Sequence, residues 1–414
     1  MRILVLTHRL PYAPNRGDRL RAYHVIRHLR EHAEVELFSL VHDDEEASHV
    51  MDVEAFVDRV TACRITAGRR AIKAAAAMLT GAPLTHALLD APGVTAALRN
   101  ICAIRPPDVV LAYCSGMARF AMHPPLAGIP MVLDFVDVDS GKWRELSESS
   151  RWPLSWIYRR EAVTLGSFEG RAANRAATAL VVNDREAAAA RALAPAANVQ
   201  VMTNGVETER LRPLGPPSAR PRVVFCGVMN YAPNVDGITW FVQHVWPMVR
   251  AQRSDATLAI VGAHPTPEVR ALSCDPSITV TGRVPDVRDW LWASAVGIAP
   301  LRVARGVQNK ALEAIAAGLP IVITDAVAGG LPAEAAPASF VADAPAPFAA
   351  HVLNLLARSP DERRRIAQSA DLSALSWSHT LESLWPILER STKAPQRATG
   401  AVGTLGSARR WRSA

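Results

Sequence analysis

Short apolar runs alternate along the chain with longer stretches in which apolar residues recur at three- and four-residue spacing. Runs rich in Val, Ile and Leu read as strands, and the periodic stretches as helices. In the first half the strand candidates are Ile3 to Thr7, Val35 to Val41, Val60 to Ile65, Val109 to Tyr113, Met131 to Phe135, Ala179 to Val182 and Val199 to Thr203. Between them, Arg19 to Leu29, Ala71 to Leu79, Val94 to Cys102 and Ser155 to Ala173 carry helical spacing. Strands that are apolar throughout and alternate with helices are what a parallel sheet covered on both faces requires.

The stretch 211–222 is rich in proline, which lacks an amide donor and fixes φ, so it can be neither helix nor strand. A second alternating series follows it. Its strands are Val223 to Cys226, Thr257 to Val261, Ile278 to Thr281, Val296 to Pro300, Pro320 to Ile323 and Ser339 to Val341, with Gly237 to Gln252 and Asn309 to Ala317 among its helices. The pattern predicts two doubly wound, Rossmann-like α/β domains, residues 1–210 and 223–390, joined by the linker 211–222 and followed by a tail, 391–414. Such sheets bind ligands outside the carboxyl ends of their strands, which directs attention to the loops facing an interdomain cleft.

Composition narrows the classes. Of 414 residues, 49% are hydrophobic and 21% charged, a balance that supplies a core and excludes wholesale disorder. The five cysteines are scattered without a CxxC pair, so neither a disulfide framework nor a zinc site is indicated. No apolar stretch is long enough to span a membrane, and the N-terminal apolar run is too short for a secretory signal, so a cytoplasmic location is expected. The net charge of +7 would raise nucleic acid as a partner. Much of it, however, sits in the tail, where Lys393, Arg397, Arg409, Arg410 and Arg412 occur without an acid. The tail's Ser, Thr, Gly and Ala content predicts a disordered basic extension, and no nucleic-acid partner is implied.

The strongest chemical signal lies at 300–324. A strand ends in the loop that holds Arg302, Arg305 and Gly306, and a helix opens at Asn309. Free amides and the positive helix end can hold a phosphate there, and Lys310 adds a mobile point charge. Glu313 stands about one turn further on, so one nucleotide could meet both side chains, its diphosphate the cation and its ribose diol the carboxylate. On spacing alone, an amphipathic helix with a surface Lys–Glu pair explains the same residues.

Glu313-Ala-Ile-Ala-Ala-Gly318-Leu-Pro320 resembles the signature of retaining GT-B glycosyltransferases of family 4 (glycosyl transferases group 1). The resemblance implies that Glu313 holds the nucleotide ribose. The family's second glutamate, eight positions earlier, is Arg305 here, which bears on the usual contacts to donor-sugar hydroxyls and leaves Arg305 to meet a donor phosphate or an acidic sugar group. Phe225-Cys226-Gly227 with Asn230 to Asp236 is similar to the first strand and turn of the nucleotide domain. Val261 to His264 and Gly282-Arg283-Val284 are similar to its next strand ends, with Arg283 near the base pocket. In the first domain, Arg9-Leu-Pro-Tyr-Ala-Pro-Asn-Arg-Gly17-Asp resembles the family's mobile glycine loop, whose amides around Gly17 would approach the donor phosphates or the acceptor. It is closest to sugar transferases of the exosortase (PEP-CTERM) exopolysaccharide system. The implied donor site is therefore Lys310, Glu313, Arg305, Gly306, Asn309, Gly227, Arg283 and Gly17.

Asp134, Asp137 and Asp139 cluster after a strand. They read as a solvated, capped turn, or as groups orienting or deprotonating an acceptor hydroxyl, and the resemblance places this loop opposite the acceptor; a metal site is disfavoured because neither Glu nor His joins them. Asn204-Gly205-Val206-Glu207 is a structural turn ending the domain. Between Asp58 and Asp90 there is no acid, while Arg59, Arg64, Arg69, Arg70 and Lys73 flank the helix Ala71 to Leu79. Such a helix suits an anionic membrane surface, or else lies buried in the first domain.

The expected protein is a cytoplasmic glycosyltransferase, peripheral at the inner face of the membrane if that basic helix docks there. It would move a sugar from a nucleotide diphosphate-sugar to an acceptor hydroxyl on a lipid-linked oligosaccharide or polysaccharide precursor, with Lys310, Asp134 and Asp137 as catalytic groups. No cofactor or metal is expected, the nucleotide-sugar being a co-substrate. A non-catalytic nucleotide-sugar-binding module is the alternative that Arg305 leaves open. A nicotinamide-dependent oxidoreductase would need a G-x-G-x-x-G fingerprint that the first loop lacks.

Overall fold

The computed structural model describes residues 1–12 and 17–393, with backbone alone at 17–18, 67–71 and 149. Seven parallel strands form the first sheet: β1 (Arg2–Thr7), β2 (Glu34–Val41), β3 (Arg59–Arg64), β4 (Val109–Tyr113), β5 (Met131–Val136), β6 (Thr178–Val181) and β7 (Val199–Val201). Six form the second: β8 (Arg222–Cys226), β9 (Thr257–Val261), β10 (Ile278–Val280), β11 (Val296–Ala299), β12 (Ile321–Ile323) and β13 (Ser339–Val341). Their orders, β3-β2-β1-β4-β5-β6-β7 and β10-β9-β8-β11-β12-β13, both reverse direction beside the first strand, between β1 and β4 and between β8 and β11. That reversal opens a crevice at the carboxyl edge of each sheet. Central strands such as β1, β4 and β11 are buried along their whole length, which is why they read as unbroken apolar runs.

Two elements differ from expectation. The periodic stretch Gly237 to Gln252 is Ala232–Trp240 and Trp246–Gln252 joined by a π-turn, Phe241–Val245. Pro247 cannot donate into the ladder, and a π-turn absorbs the lost bond. The second domain also gives up its last segment. Trp377, Leu381, Leu384, Ile387 and Leu388 join the core built on Ile3, Val5, Leu37 and Val109 of the first domain. The final helix, Leu384–Lys393, lays its apolar face there, so Lys393 and residues 391–392 are helical rather than part of a tail. Residues 394–414 lie outside the described residues.

The helix Ala67–Thr80 is not an interior helix. Ala77 is buried, whereas Ile72 and Leu79 are 72% and 89% exposed.

Candidate active site in the interdomain cleft

The second-domain wall is built at the ends of β8 and β11. After β11 the chain turns through Gly306, at φ 62°, where a side chain would be strained and would also overlap the Asp137 carboxylate of the first domain. The helix Asn309–Ala316 follows, and no side chain caps its first turn. Lys310 lies over the Phe225 ring, 5.0 Å from its centroid, and donates to Asn234 Oδ1. Asn234 is itself fixed by donating to the Val228 carbonyl at 2.9 Å. A Cβ on Gly227 would come within 2.7 Å of the Asn234 amide nitrogen, so this glycine leaves the pair its room. Burial pushes the Lys310 pKa down to about 8, against the pull of Cys226 and Glu313. A cation so poorly hydrated gains most from meeting an anion.

Glu313 shares this enclosure. Burial raises its pKa, Lys310 opposes the rise, and among the described residues its carboxylate makes no hydrogen bond or ion pair. An enclosed carboxylate with open acceptor positions can take a pair of hydroxyl donors. Asn309 accepts a hydrogen bond from Asn204 Nδ2 at 3.1 Å, which ties the start of the helix to the turn that ends the first domain.

The first-domain acids divide. Asp134 is held inside its own domain. It is buried and gripped by Arg21, Nε to Oδ2 at 2.8 Å and Nη2 to Oδ1 at 3.3 Å, and Arg21 goes on to Asn204 Oδ1 at 3.1 Å. A carboxylate held in a buried guanidinium fork has its orientation fixed by that pair. Asp137 is different. Its Oδ1 is enclosed without a hydrogen-bond partner, and burial, with Glu186 and Asp139 adding like charge, pushes its pKa up to about 7. Between the two acids Val136 sits at φ 63°, costly for a β-branched residue, where the register of β5 against β6 slips. That turn swings Asp137 to the Gly306 loop. Asp134, Asp137 and Asp139 do not converge: among the described residues the group within metal-binding reach is His28, Glu31 and His32.

Arg305 is engaged by side chains of the other domain. It crosses to the first domain, pairing with Glu145 at 2.8 and 3.0 Å and reaching Glu186 at 3.4 Å. Glu186 is fully buried and accepts the Val138 amide at 2.7 Å, so the arginine is bound to the segment that carries Asp137. Arg185 completes the contact, meeting Glu145 at 2.9 Å and the Ala304 carbonyl at 3.2 Å. At the opposite rim Arg283 also pairs across the cleft, with Glu45 at 2.8 Å. Gly17 begins the first helix, but residues 13–16 before it lie outside the described residues. The loop ahead of them is anchored by Glu46, which receives both Arg9 and Arg19.

Two Rossmann-like domains facing each other across such a cleft make the GT-B glycosyltransferase fold. Residues 220–358, most of the second domain, match the family of glycosyl transferases group 1. Among solved structures the chain is similar to sucrose-phosphate synthase from Thermosynechococcus elongatus (TM-score 0.69, 15% identity, 94% of this chain and 98% of that one). It is also similar to Anabaena Alr3699/HepE in complex with UDP and glucose (TM-score 0.64, 14% identity, 94% and 100% covered). A third is WaaG, a glycosyltransferase involved in lipopolysaccharide biosynthesis (TM-score 0.60, 15% identity, 92% and 99% covered). No curated protein matches the chain in sequence.

Sequence reasoning missed Asn234 as the partner of Lys310, Arg21 as the partner of Asp134, and Glu145 and Glu186 as the partners of Arg305. Asn234 follows the first strand of its domain at a turn, which is a usable signal. The other pairs join residues more than a hundred positions apart and leave no local trace.

Proposed function

We propose that the chain transfers a sugar from a nucleoside diphosphate donor to an acceptor hydroxyl, with retention at the anomeric carbon. The observation that carries this reading is Glu313: a half-buried carboxylate without partners among the described residues, one turn from a half-buried lysine that stands at the start of an uncapped helix. Diphosphate on Lys310 and the amides near Gly306, with ribose on Glu313, would satisfy all three. As the bond between the anomeric carbon and the diphosphate breaks, the electron pair leaves with the diphosphate. Lys310 and the amides meet that charge in a preorganised, poorly hydrated setting. The acceptor oxygen bonds to the same face, and Asp137 takes its proton, with a pKa suited to that task near neutrality. The similarity of the Arg9 to Asp18 loop to exosortase-associated transferases supports a lipid-linked or polysaccharide acceptor in exopolysaccharide assembly, at the cytoplasmic side of a membrane.

A thermal-shift screen of nucleoside diphosphates and their sugars, followed by donor hydrolysis, tests this. A ligand at 100 times its dissociation constant stabilises by about 2.7 kcal/mol. Absence of any shift would reject the reading. The position of Arg305, committed to an interdomain ion pair, favours a second reading, a nucleotide-sugar-binding module without turnover. Binding without donor cleavage or transfer would select it.

A further inference from the structure

The end of the first helix carries a constellation that the sugar-transfer chemistry does not use. The helix Gly17–Arg30 runs on through one more turn, in which the amides of Glu31 and His32 bond the carbonyls of His28 and Leu29 at 3.3 and 3.0 Å. That turn prolongs the helical spacing, so His28 and His32, four apart, share one side with Glu31, three from His28. A ring nitrogen of each histidine and a carboxylate oxygen of Glu31 lie within 4.8 Å of one another. Ligands at about 2.0–2.2 Å from a common ion stand up to roughly 4 Å apart, so small side-chain rotations close the set. Glu31 and His32 are exposed and His28 is half-buried, so an ion can reach all three from solvent.

The surroundings prepare these groups for a cation. His32 Nδ1 lies 3.0 Å from the His28 carbonyl. A carbonyl only accepts, so this nitrogen carries the proton and Nε2 keeps its lone pair, the tautomer fixing found in metal-ligating histidines. On His28, Nε2 is enclosed without a hydrogen-bond partner. Burial, with His32 alongside, lowers the His28 pKa, which keeps the ring in the neutral form that ligates. The carbonyl end of a helix favours positive charge. The arginines of this turn are engaged elsewhere: Arg27 donates to the Tyr23 hydroxyl at 3.1 Å and Arg30 pairs with Asp58 at 2.9 Å. Two imidazoles and one carboxylate suit zinc or copper(II), whereas calcium and magnesium take oxygen ligands.

The first helix leaves the carboxyl edge of its sheet and ends at the opposite edge, where β2 begins, so the cluster lies away from the cleft. There His32 stacks on Trp385, with ring centroids 5.3 Å apart. Trp385 belongs to the helix Leu384–Lys393, which returns from the second domain onto the first-domain core. We propose that His28, Glu31 and His32 form a zinc site, with water in the remaining position, that fixes the end of the first helix against this returning helix. The site stands apart from the sugar-transfer reading and does not depend on it.

The experiment is calorimetric titration of the untagged full-length protein, stripped with a chelator, with zinc chloride, alongside thermal unfolding and gel filtration. Four proteins are compared: wild type, His32→Ala, Glu31→Gln, and His379→Ala as a control at a distant exposed histidine. Glu31→Gln keeps the shape of an exposed side chain and leaves the Trp385 contact intact, so it tests the site even if His32→Ala loosens the fold; circular dichroism without metal checks both. Wild type and the control should take up one zinc per chain and unfold at a higher temperature with it. Loss of outer-shell partners alone costs metal sites about 10- to 100-fold, so Glu31→Gln should lose about tenfold in affinity and His32→Ala about 100-fold or more. With one equivalent of copper(II), the paramagnetic resonance spectrum should show coupling to two imidazole nitrogens in wild type and to one in His32→Ala. Zinc uptake that survives either substitution unchanged, or no equivalent tighter than about 0.1 mM in wild type, would overturn the proposal. So would half an equivalent per chain with a zinc-dependent dimer, which would mean a site shared between two copies.

Discussion

The two walls of the cleft present candidate residues at the same close spacing, with opposite outcomes. Lys310 and Glu313 stand three apart on a helix and face one enclosure, as their spacing implies. Asp134 and Asp137 also stand three apart, yet one is clamped by Arg21 and the other is left without a partner opposite Gly306. Proximity along the chain decides function on a helix, because the turn itself sets side by side what the spacing names. At a strand end it decides little, since a single positive φ at Val136 sends neighbouring side chains into different environments. Groups poised for a ligand are marked on both walls by what they lack: Glu313 and Asp137 are enclosed acids without full hydrogen bonding, which a folded protein tolerates where something else completes them.

The contrast can be broken most forcefully at Asp134. Asp134→Asn leaves the buried Arg21 without its counter-charge, and removing one partner of such a pair costs about 3 to 5 kcal/mol. Chemical denaturation should show that loss, while Asp137→Asn should leave stability unchanged or raised and abolish most turnover. A variant pair with the reverse pattern would exchange the two roles. Next in size is Lys310→Ala, expected to lower turnover by about 10²- to 10³-fold with a smaller change in donor affinity. Lys310→Arg should restore only part of it, because a planar fork fits a point-charge site poorly. Full turnover in Lys310→Ala would remove this residue from the chemistry.

Arg305 offers a charge swap. Arg305→Glu sets a third carboxylate against Glu145 and buried Glu186 and should lose activity, and Glu145→Arg should recover part of it. A double-mutant cycle on activity or stability should return a coupling of about 0.5 to 3 kcal/mol. Additive effects would mean that the ion pair across the cleft does not hold the domains together. The smallest effect is in the pH profile. Ionising Asp137 requires pH above about 7, and Lys310 discharges above about 8, so kcat/KM should rise through the first value and fall through the second. Asp137→Asn should erase the rising limb. Stability should move the other way. Between the ordinary 3.8 and about 7 the folded protein holds a proton on Asp137 that the unfolded chain releases, so this group's contribution declines as pH rises through that window.

Most of the fold was legible because parallel strands buried on both faces leave unbroken apolar runs. Each of the thirteen observed strands lies within one or two residues of its expected ends. The crossing of the last segment onto the first domain was not legible, because its apolar face at Leu381, Leu384 and Leu388 would serve equally well on either core. The donor wall was legible at Gly306, Lys310 and Glu313, where helical geometry and a turn do the placing. The surroundings of Asp134 and Arg305 were not legible for one reason: each has a partner brought in by tertiary folding. The helix around Ile72 was open between lipid surface and interior, and only its exposure excludes the interior.

The most direct test is the binding of a nucleoside diphosphate and its 2′,3′-dideoxy analogue to wild type and to Glu313→Gln. If Glu313 holds the ribose diol, wild type should prefer the ribose form. Loss of those hydrogen bonds, worth about 1 to 3 kcal/mol, should bring the two ligands close to equal affinity in the variant. Wild type that binds neither ligand, or a variant that keeps the full preference, would contradict the assignment of this cleft as a nucleotide-sugar site.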